Sequence, residues 1–202
     1  LSDKKIMDKF SIIKSNFIQN KELIDKTIET NLSDIENATG MLINMLENDG
    51  KLLSCGNGGS SGDAQHISSE FINRFEIERK EMPAISLNSD TATLTSIAND
   101  YDYKYIFAKQ INALGKKNDI LMAFTTSGNS SNIIEAINSA KLKGMRLILI
   151  SGNDGGKAIS LLDKTDCSII VPSDRTSRIQ EMHLIIIHAV CECLDVYIRN
   201  EG

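Results

Sequence analysis

The sequence predicts an α/β fold: a doubly wound parallel sheet of five strands flanked by helices, with an N-terminal helical extension. Three observations carry this reading. Five short apolar runs, at 51–55, 84–87, 120–124, 146–150 and 168–171, are continuous rather than alternating, as strands buried on both faces are. Stretches of helical period lie between most of them, and that alternation implies crossover connections between parallel strands. Loops dense in Gly, Ser, Thr and Asn follow three of the runs, at 56–60, 125–130 and 151–156. In such sheets ligands bind beyond the carboxyl ends of the strands, so all three loops are expected at one edge.

Taken in order, the chain first shows Ile12, Ile13, Phe17, Ile24, Ile28, Leu32, Ile35, Met41, Leu42 and Leu46 at near three- and four-residue intervals, starting from Ile6. Asn48, Asp49 and Gly50 supply a stop. These N-terminal helices, residues 1–49, are expected to cover one sheet face and to pack against another subunit, since an amphipathic face must be buried somewhere. The α/β core follows at 50–202, within a single domain spanning 1–202. Its first strand opens into a helical stretch with Ala64, Ile67, Phe71 and Phe75 as core face and Asp63, His66, Glu70 and Asn73 as a polar stripe. Further helices are expected at 90–98, 105–114 and 129–143. A long one at 177–200 carries the apolar stripe Ile179, Met182, Ile186, Ala189, Cys193 and Val196.

With 41% hydrophobic and 24% charged residues over 202 positions, the composition suits one globular core. A net charge of −5 with no run of Lys and Arg gives no sign of a nucleic-acid or anionic-membrane partner. No apolar stretch reaches the ~18 residues of a membrane span, and none follows Lys4 and Lys5 as in a signal peptide, so a cytoplasmic protein is expected. Cys55, Cys167, Cys191 and Cys193 have no framework spacing and are expected to be buried thiols.

The loop of Thr125, Thr126, Ser127, Gly128, Asn129 and Ser130 sets four hydroxyls and a glycine where a strand enters a helix. A phosphate needs convergent neutral donors and a helix N-terminus, although an ordinary Ser-rich cap has the same composition. Gly56 and Gly58 match half of a dinucleotide fingerprint, but Ser61 occupies the third glycine position and no ribose-binding acid follows at the right distance. No Walker lysine follows either, so no nucleotide cofactor is expected. His66 and Glu70, four residues apart, share one helix face and suit a metal or acid–base work, as a solvated stripe would also place them. Histidine is scarce: the only others are His183 and His188, on the last helix with Gln180. Gln180 and His188 lie eight residues apart, ~12 Å along a helix, too far for one small ion without unusual reach. Asn99 and Asp100 close the helix after the second strand, as a plain turn or as hydrogen-bonding partners for sugar hydroxyls.

Taken together, Cys55-Gly56-Asn57-Gly58-Gly59-Ser60, Asp63-Ala64-Gln65-His66, Thr126-Ser127-Gly128-Asn129-Ser130 and Arg178-Ile179-Gln180-Glu181 resemble the SIS (sugar isomerase) proteins, and more closely the phosphoheptose isomerase family, over essentially the whole chain. The resemblance implies a SIS, flavodoxin-like sandwich and an aldose–ketose isomerase converting sedoheptulose 7-phosphate to D-glycero-D-manno-heptose 7-phosphate. That is a first step toward ADP- or GDP-heptose precursors of lipopolysaccharide or capsule. It implies one zinc per subunit on His66, Glu70, Gln180 and His188. Substrate contacts are implied at Asn57, Gly58, Gly59, Glu70, Asn99, Asp100, Thr125, Thr126, Ser127, Ser130 and Gln180. A homotetramer is implied as well. Thr125 stands where the family often has Ser, keeping the hydroxyl.

Moving a carbonyl between C1 and C2 requires a base and an acid acting through an enediol, and Glu70 and His188 are expected to be that pair. The alternative is a non-catalytic scaffold resembling the replication-initiator-associating relatives, which bind the initiator protein. In their pattern the positions of Glu70 and His188 are not Glu and His, whereas here both are present.

Overall fold

The protein is described over residues 8–201 by a computed structural model, so the expected helix start at Ile6 lies outside the described residues. Helix α1 (Lys9–Glu47) is one continuous helix of 39 residues. The plural helices expected here are a single one because no proline interrupts the segment. Asp8 opens it by accepting a hydrogen bond from the Ser11 amide, and Asp49, at φ 54°, turns the chain out of it.

Strand β1 (Leu52–Gly56), helix α2 (Gly59–Ile72) and strand β2 (Ala84–Ser86) follow. Then come α3 (Thr91–Asp100), a 3₁₀ turn (Tyr103–Tyr105), α4 (Ala108–Leu114), β3 (Ile120–Thr125) and α5 (Ser131–Leu142). Strand β4 (Arg146–Gly152), a single turn α6 (Gly156–Ile159), β5 (Cys167–Val171) and α7 (Thr176–Glu201) complete the chain. The sheet has the order β2-β1-β3-β4-β5 and is parallel throughout. Connections reverse direction between β1 and β3, which makes the carboxyl ends of those two strands the switch point where a crevice opens.

Two local expectations are corrected and one is met. The helix expected at 105–114 is α-helical only from Ala108, because Asp102 accepts from the Lys104 amide and holds the preceding turn in 3₁₀ form. Asn99 and Asp100 close α3 as expected, the helix ending at Asp100 with Tyr101 as C-cap. Phe75 lies beyond α2, whose core face is Ala64, Ile67 and Phe71.

Alternate strand residues feed two cores. On one face Leu52, Met122, Phe124, Ile148 and Ile150 pack under α1, α2 and α7. On the other, Leu53, Cys55, Leu121, Ala123, Leu147 and Leu149 pack under α3, α4 and α5. Fully buried side chains such as Phe71 and Phe107 each contribute roughly 1.5–3 kcal/mol of burial. The seam of α7 runs through Ile179, Met182, Ile186, Ile187, Val190, Cys191 and Leu194, while Cys193 and Val196 are exposed. The apolar stripe expected at its C-terminal half is therefore rotated, and three of the four cysteines, not all, are buried.

Helix α1 divides in two. From Leu23 onward it buries one face on α7 and β5, whereas Phe10 and Phe17 in its first half are 73% and 75% exposed, with Ile13 also outward.

Candidate active site

The β1–α2 and β3–α5 loops meet at the switch point and enclose a cavity of about 330 Å³. Asn57, Gly58, Gly59 and Ser60 form one side, Thr125, Thr126, Ser127 and Ser130 another, and Thr176 and Gln180 of α7 a third, over Phe124. Helices α2 and α5 both begin here without a side-chain cap on their first turns. The Ser60 and Ser61 amides of α2 close turns onto Asn57 O and Gly58 O, so it is chiefly the partial positive ends of both helices, with the first amides of α5, that favour an anion in the cavity.

Tight packing sets these loops. A Cβ on Gly59 would stand 2.6 Å from the Gln180 amide, so the glycine lets α7 approach the start of α2. Gly128 has φ +64°, and a Cβ there would lie 1.9 Å from the Gly155 carbonyl oxygen. The Gly-rich loop after β4 thus contributes no cavity wall; it buttresses the β3 loop, with the Ala158 amide donating to Gly128 O at 2.9 Å. Thr125 Oγ1 accepts from the Gly128 amide at 3.1 Å, which curls the loop toward the cavity.

Asn132, buried at 2% exposure on α5, was not singled out in the sequence. Its amide exchanges two hydrogen bonds with that of Asn57, at 2.8 and 2.7 Å, pinning the two loops across the switch point. Tyr103 adds its hydroxyl to Asn57 Oδ1 at 3.3 Å. An Asn at the second position of the helix after the hydroxyl loop was the available signal, but only the fold shows that it faces Asn57. Asn99 and Asp100 stand apart from the cavity lining: both are exposed, and Asn99 Nδ2 donates to Asp100 Oδ1 at 2.9 Å.

Helices α2 and α7 lie side by side, and their facing residues form a polar seam. Gln180 meets Gly59 at the cavity. Deeper in, His183 Nδ1 is 3.7 Å from Asp63 Oδ2, and His183 Nε2 is 3.3 Å from the Ser151 carbonyl. Asp63, expected on a solvated stripe, is buried by this neighbour. Next along the seam, His66 Nε2 lies 3.1 Å from both Glu70 Oε1 and His188 Nε2. The ring of Phe75 stacks on His188, with centroids 5.5 Å apart and planes 30° apart. His66, Glu70 and His188 are brought together; Gln180 lies about two turns away, in the cavity, and makes no hydrogen bond to them.

Two imidazole nitrogens and a carboxylate oxygen converge, and one shared proton leaves at least one close approach between acceptors uncompensated. A cation would satisfy all three. Two nitrogens bound to one tetrahedral zinc at about 2.0–2.1 Å lie roughly 3.3 Å apart, close to the observed separation. Among the described residues no three His, Cys, Asp or Glu side chains form a preformed metal cage. His66, Glu70 and His188 thus supply donor atoms of the kind zinc takes, without forming a preformed cage.

Residues 17–152 match the family model of the SIS domain. The chain is 55% identical over 161 residues to the phosphoheptose isomerase of Chromohalobacter salexigens, covering 80% of this chain and 82% of the relative. It is 48% identical over 189 residues to that of Aromatoleum aromaticum, covering 94% and 96%. Its structure is similar to a phosphoheptose isomerase from Francisella tularensis with a TM-score of 0.89 and 38% identity, covering 94% of this chain and 99% of the other.

Proposed function

This chain belongs to the phosphoheptose isomerase family of SIS-domain proteins, and from that premise we propose that it interconverts sedoheptulose 7-phosphate and D-glycero-D-manno-heptose 7-phosphate by proton transfer through an enediol. The observation that carries this reading is the meeting of Glu70 and His188 at His66, about two turns along α2 and α7 from a cavity suited to an anion. The phosphate rests among Thr126, Ser127 and Ser130 and the free amides of α5. Asn57, Gly58, Gly59 and Gln180 hold the sugar hydroxyls, with Asn57 fixed by Asn132 and so contributing through its main chain and its remaining amide proton. Thr125 shapes the loop through its own hydroxyl.

Glu70 and His188 act as the base and acid, one carboxylate oxygen removing the proton beside the carbonyl and one imidazole nitrogen serving the oxygen that becomes a hydroxyl. His66 orients both. Zinc, when bound to His66, Glu70 and His188, would polarise the sugar oxygens during the transfer; Gln180 would complete its ligands only by leaving the position beside Gly59. The exposed Phe10, Ile13 and Phe17 support an assembly of several copies, read here as a tetramer with α1 in the interface. No described helix is long and apolar enough to cross a membrane. A cytoplasmic site of action follows from the chemistry of phosphorylated sugars, and the heptose product suits the making of lipopolysaccharide or capsule.

The test is turnover of sedoheptulose 7-phosphate, followed as aldose formation, with added zinc and with chelator. The expected result is turnover by the wild type that Glu70→Gln lacks. A wild type without turnover in every metal state overturns the isomerase reading. Full activity after exhaustive chelation removes zinc from it and leaves the isomerase.

A further inference from the structure

We infer that Arg79 and Asp195, with Phe75, form a clamp that positions Glu70 against His188; this rests on the reading of those two as the proton-transfer pair. After α2 ends, the chain crosses α7 before entering β2. Asp195 lies on α7 seven residues beyond His188, about two turns, and is 3% exposed. Its Oδ2 accepts from the Glu76 amide at 2.9 Å and the Ile77 amide at 3.2 Å, and its Oδ1 accepts from Arg79 Nε at 2.8 Å. Burial works against the charge of Asp195, but the Arg79 guanidinium and the two amides outweigh it and hold its carboxyl below the usual range.

Arg79 uses the rest of its fork on the end of α2. One terminal nitrogen donates to the carbonyl of Glu70 at 2.6 Å; the other donates to Phe71 O at 3.1 Å and Lys80 O at 3.2 Å. The last carbonyls of a helix lack partners within it, and here the buried guanidinium supplies a donor to Glu70 O and shares Phe71 O with the Met82 amide. One ion pair thus ties the residue carrying the carboxylate to the helix carrying the imidazole. Between its anchors, at 70–71 and 76–79, the loop presents Phe75 flat against His188. Glu70 is held through its own carbonyl and His188 through its ring face.

A buried ion pair is a poor source of net stability compared with apolar packing, because desolvation offsets its attraction. What a fully partnered pair supplies is a single geometry: one Arg79–Asp195 bond joins the two, and their remaining polar atoms are held by backbone groups. Both partners have side chains at most 4% exposed, so water offers no alternative partner. None of the three residues lines the cavity, and the clamp is therefore expected to act on the proton transfer and not on phosphate binding.

The experiment compares full-length wild type, Phe75→Leu, Arg79→Lys and Arg79→Met in two readouts: steady-state turnover of sedoheptulose 7-phosphate, and the ring ¹⁵N resonances of His188. Small misplacements of reacting groups cost up to about 100-fold. The expected result is a kcat lower by about 10- to 100-fold in Phe75→Leu and Arg79→Lys with KM within about twofold, and shifted His188 resonances in both. Arg79→Met is expected to lose more than the charge-conserving Arg79→Lys. Phe75→Leu leaves the buried pair intact, so it tests the clamp even where the Arg79 variants do not fold. Wild-type kcat and unmoved His188 resonances in folded Phe75→Leu and Arg79→Lys overturn the inference. A wild type with no turnover, whose His188 resonances still move in the variants, overturns the activity reading and leaves the clamp standing.

Discussion

The cavity and the His66–Glu70–His188 cluster share helices α2 and α7, yet they are built by opposite means. The cavity comes mainly from two loops whose glycines, hydroxyls and amides do their work locally, with Thr176 and Gln180 of α7 as a third wall, and no charged side chain among the described residues lines it. The cluster consists of ionisable side chains from helices more than a hundred residues apart, meaningful only because α2 and α7 lie in register. On the proposed reading, binding would draw on groups local to each loop, amide and hydroxyl alike, whereas reactivity would draw on helix packing.

The sharpest way to break this contrast is to remove reactivity alone. Glu70→Gln keeps shape and hydrogen bonding but not the base, and kcat is expected to fall by about 10²–10⁴-fold with substrate still binding; titration calorimetry with the sugar phosphate checks the second half. Loss of binding in parallel with kcat would dissolve the division. Conversely, Ser127→Ala is expected to raise KM by about 10-fold or more with kcat nearly kept, since a hydrogen bond to a charged group contributes about 1.5–3 kcal/mol. Asn132→Ala, which frees Asn57, should show the same KM-weighted pattern more weakly.

Much of the cavity was legible in the sequence because its signals are local: Gly58 and Gly59 after a buried strand, then hydroxyls at 125–130 after another. His66 and Glu70 were legible as a pair for the same reason, being one turn apart. What gave them a partner was not local. Asn132, Arg79 and Asp195 went unremarked because a lone Asn, Arg or Asp on a helix or loop looks like surface until the fold buries it.

Two smaller effects test the supports. Replacing Phe10 and Phe17 by Ser is expected to shift the sedimentation profile toward smaller assemblies while circular dichroism stays unchanged, because both rings are exposed on the described chain. The Asp195 carboxyl is held below its ordinary value, so the unfolded chain binds more protons than the folded one as pH falls. Its stabilisation is fully present above the unfolded value of about 3.9 and is lost as pH drops through the folded one. Denaturant titrations below pH 4 should show the loss, and Asp195→Asn should flatten it.

The sequence by itself determined the alternation of buried strands and crossover helices, the loops at the strand ends and the kind of chemistry His66 and Glu70 offer, because each depends on residues within a few positions of one another. The tertiary structure decided the rest. It set α7 beside α2 so that His188 reaches His66 while Gln180 stays beside Gly59, used the third Gly-rich loop as a buttress, and left half of α1 unburied on this chain. The physical reason is that helix register is fixed by packing summed over many distant side chains, and no local window of sequence contains that sum.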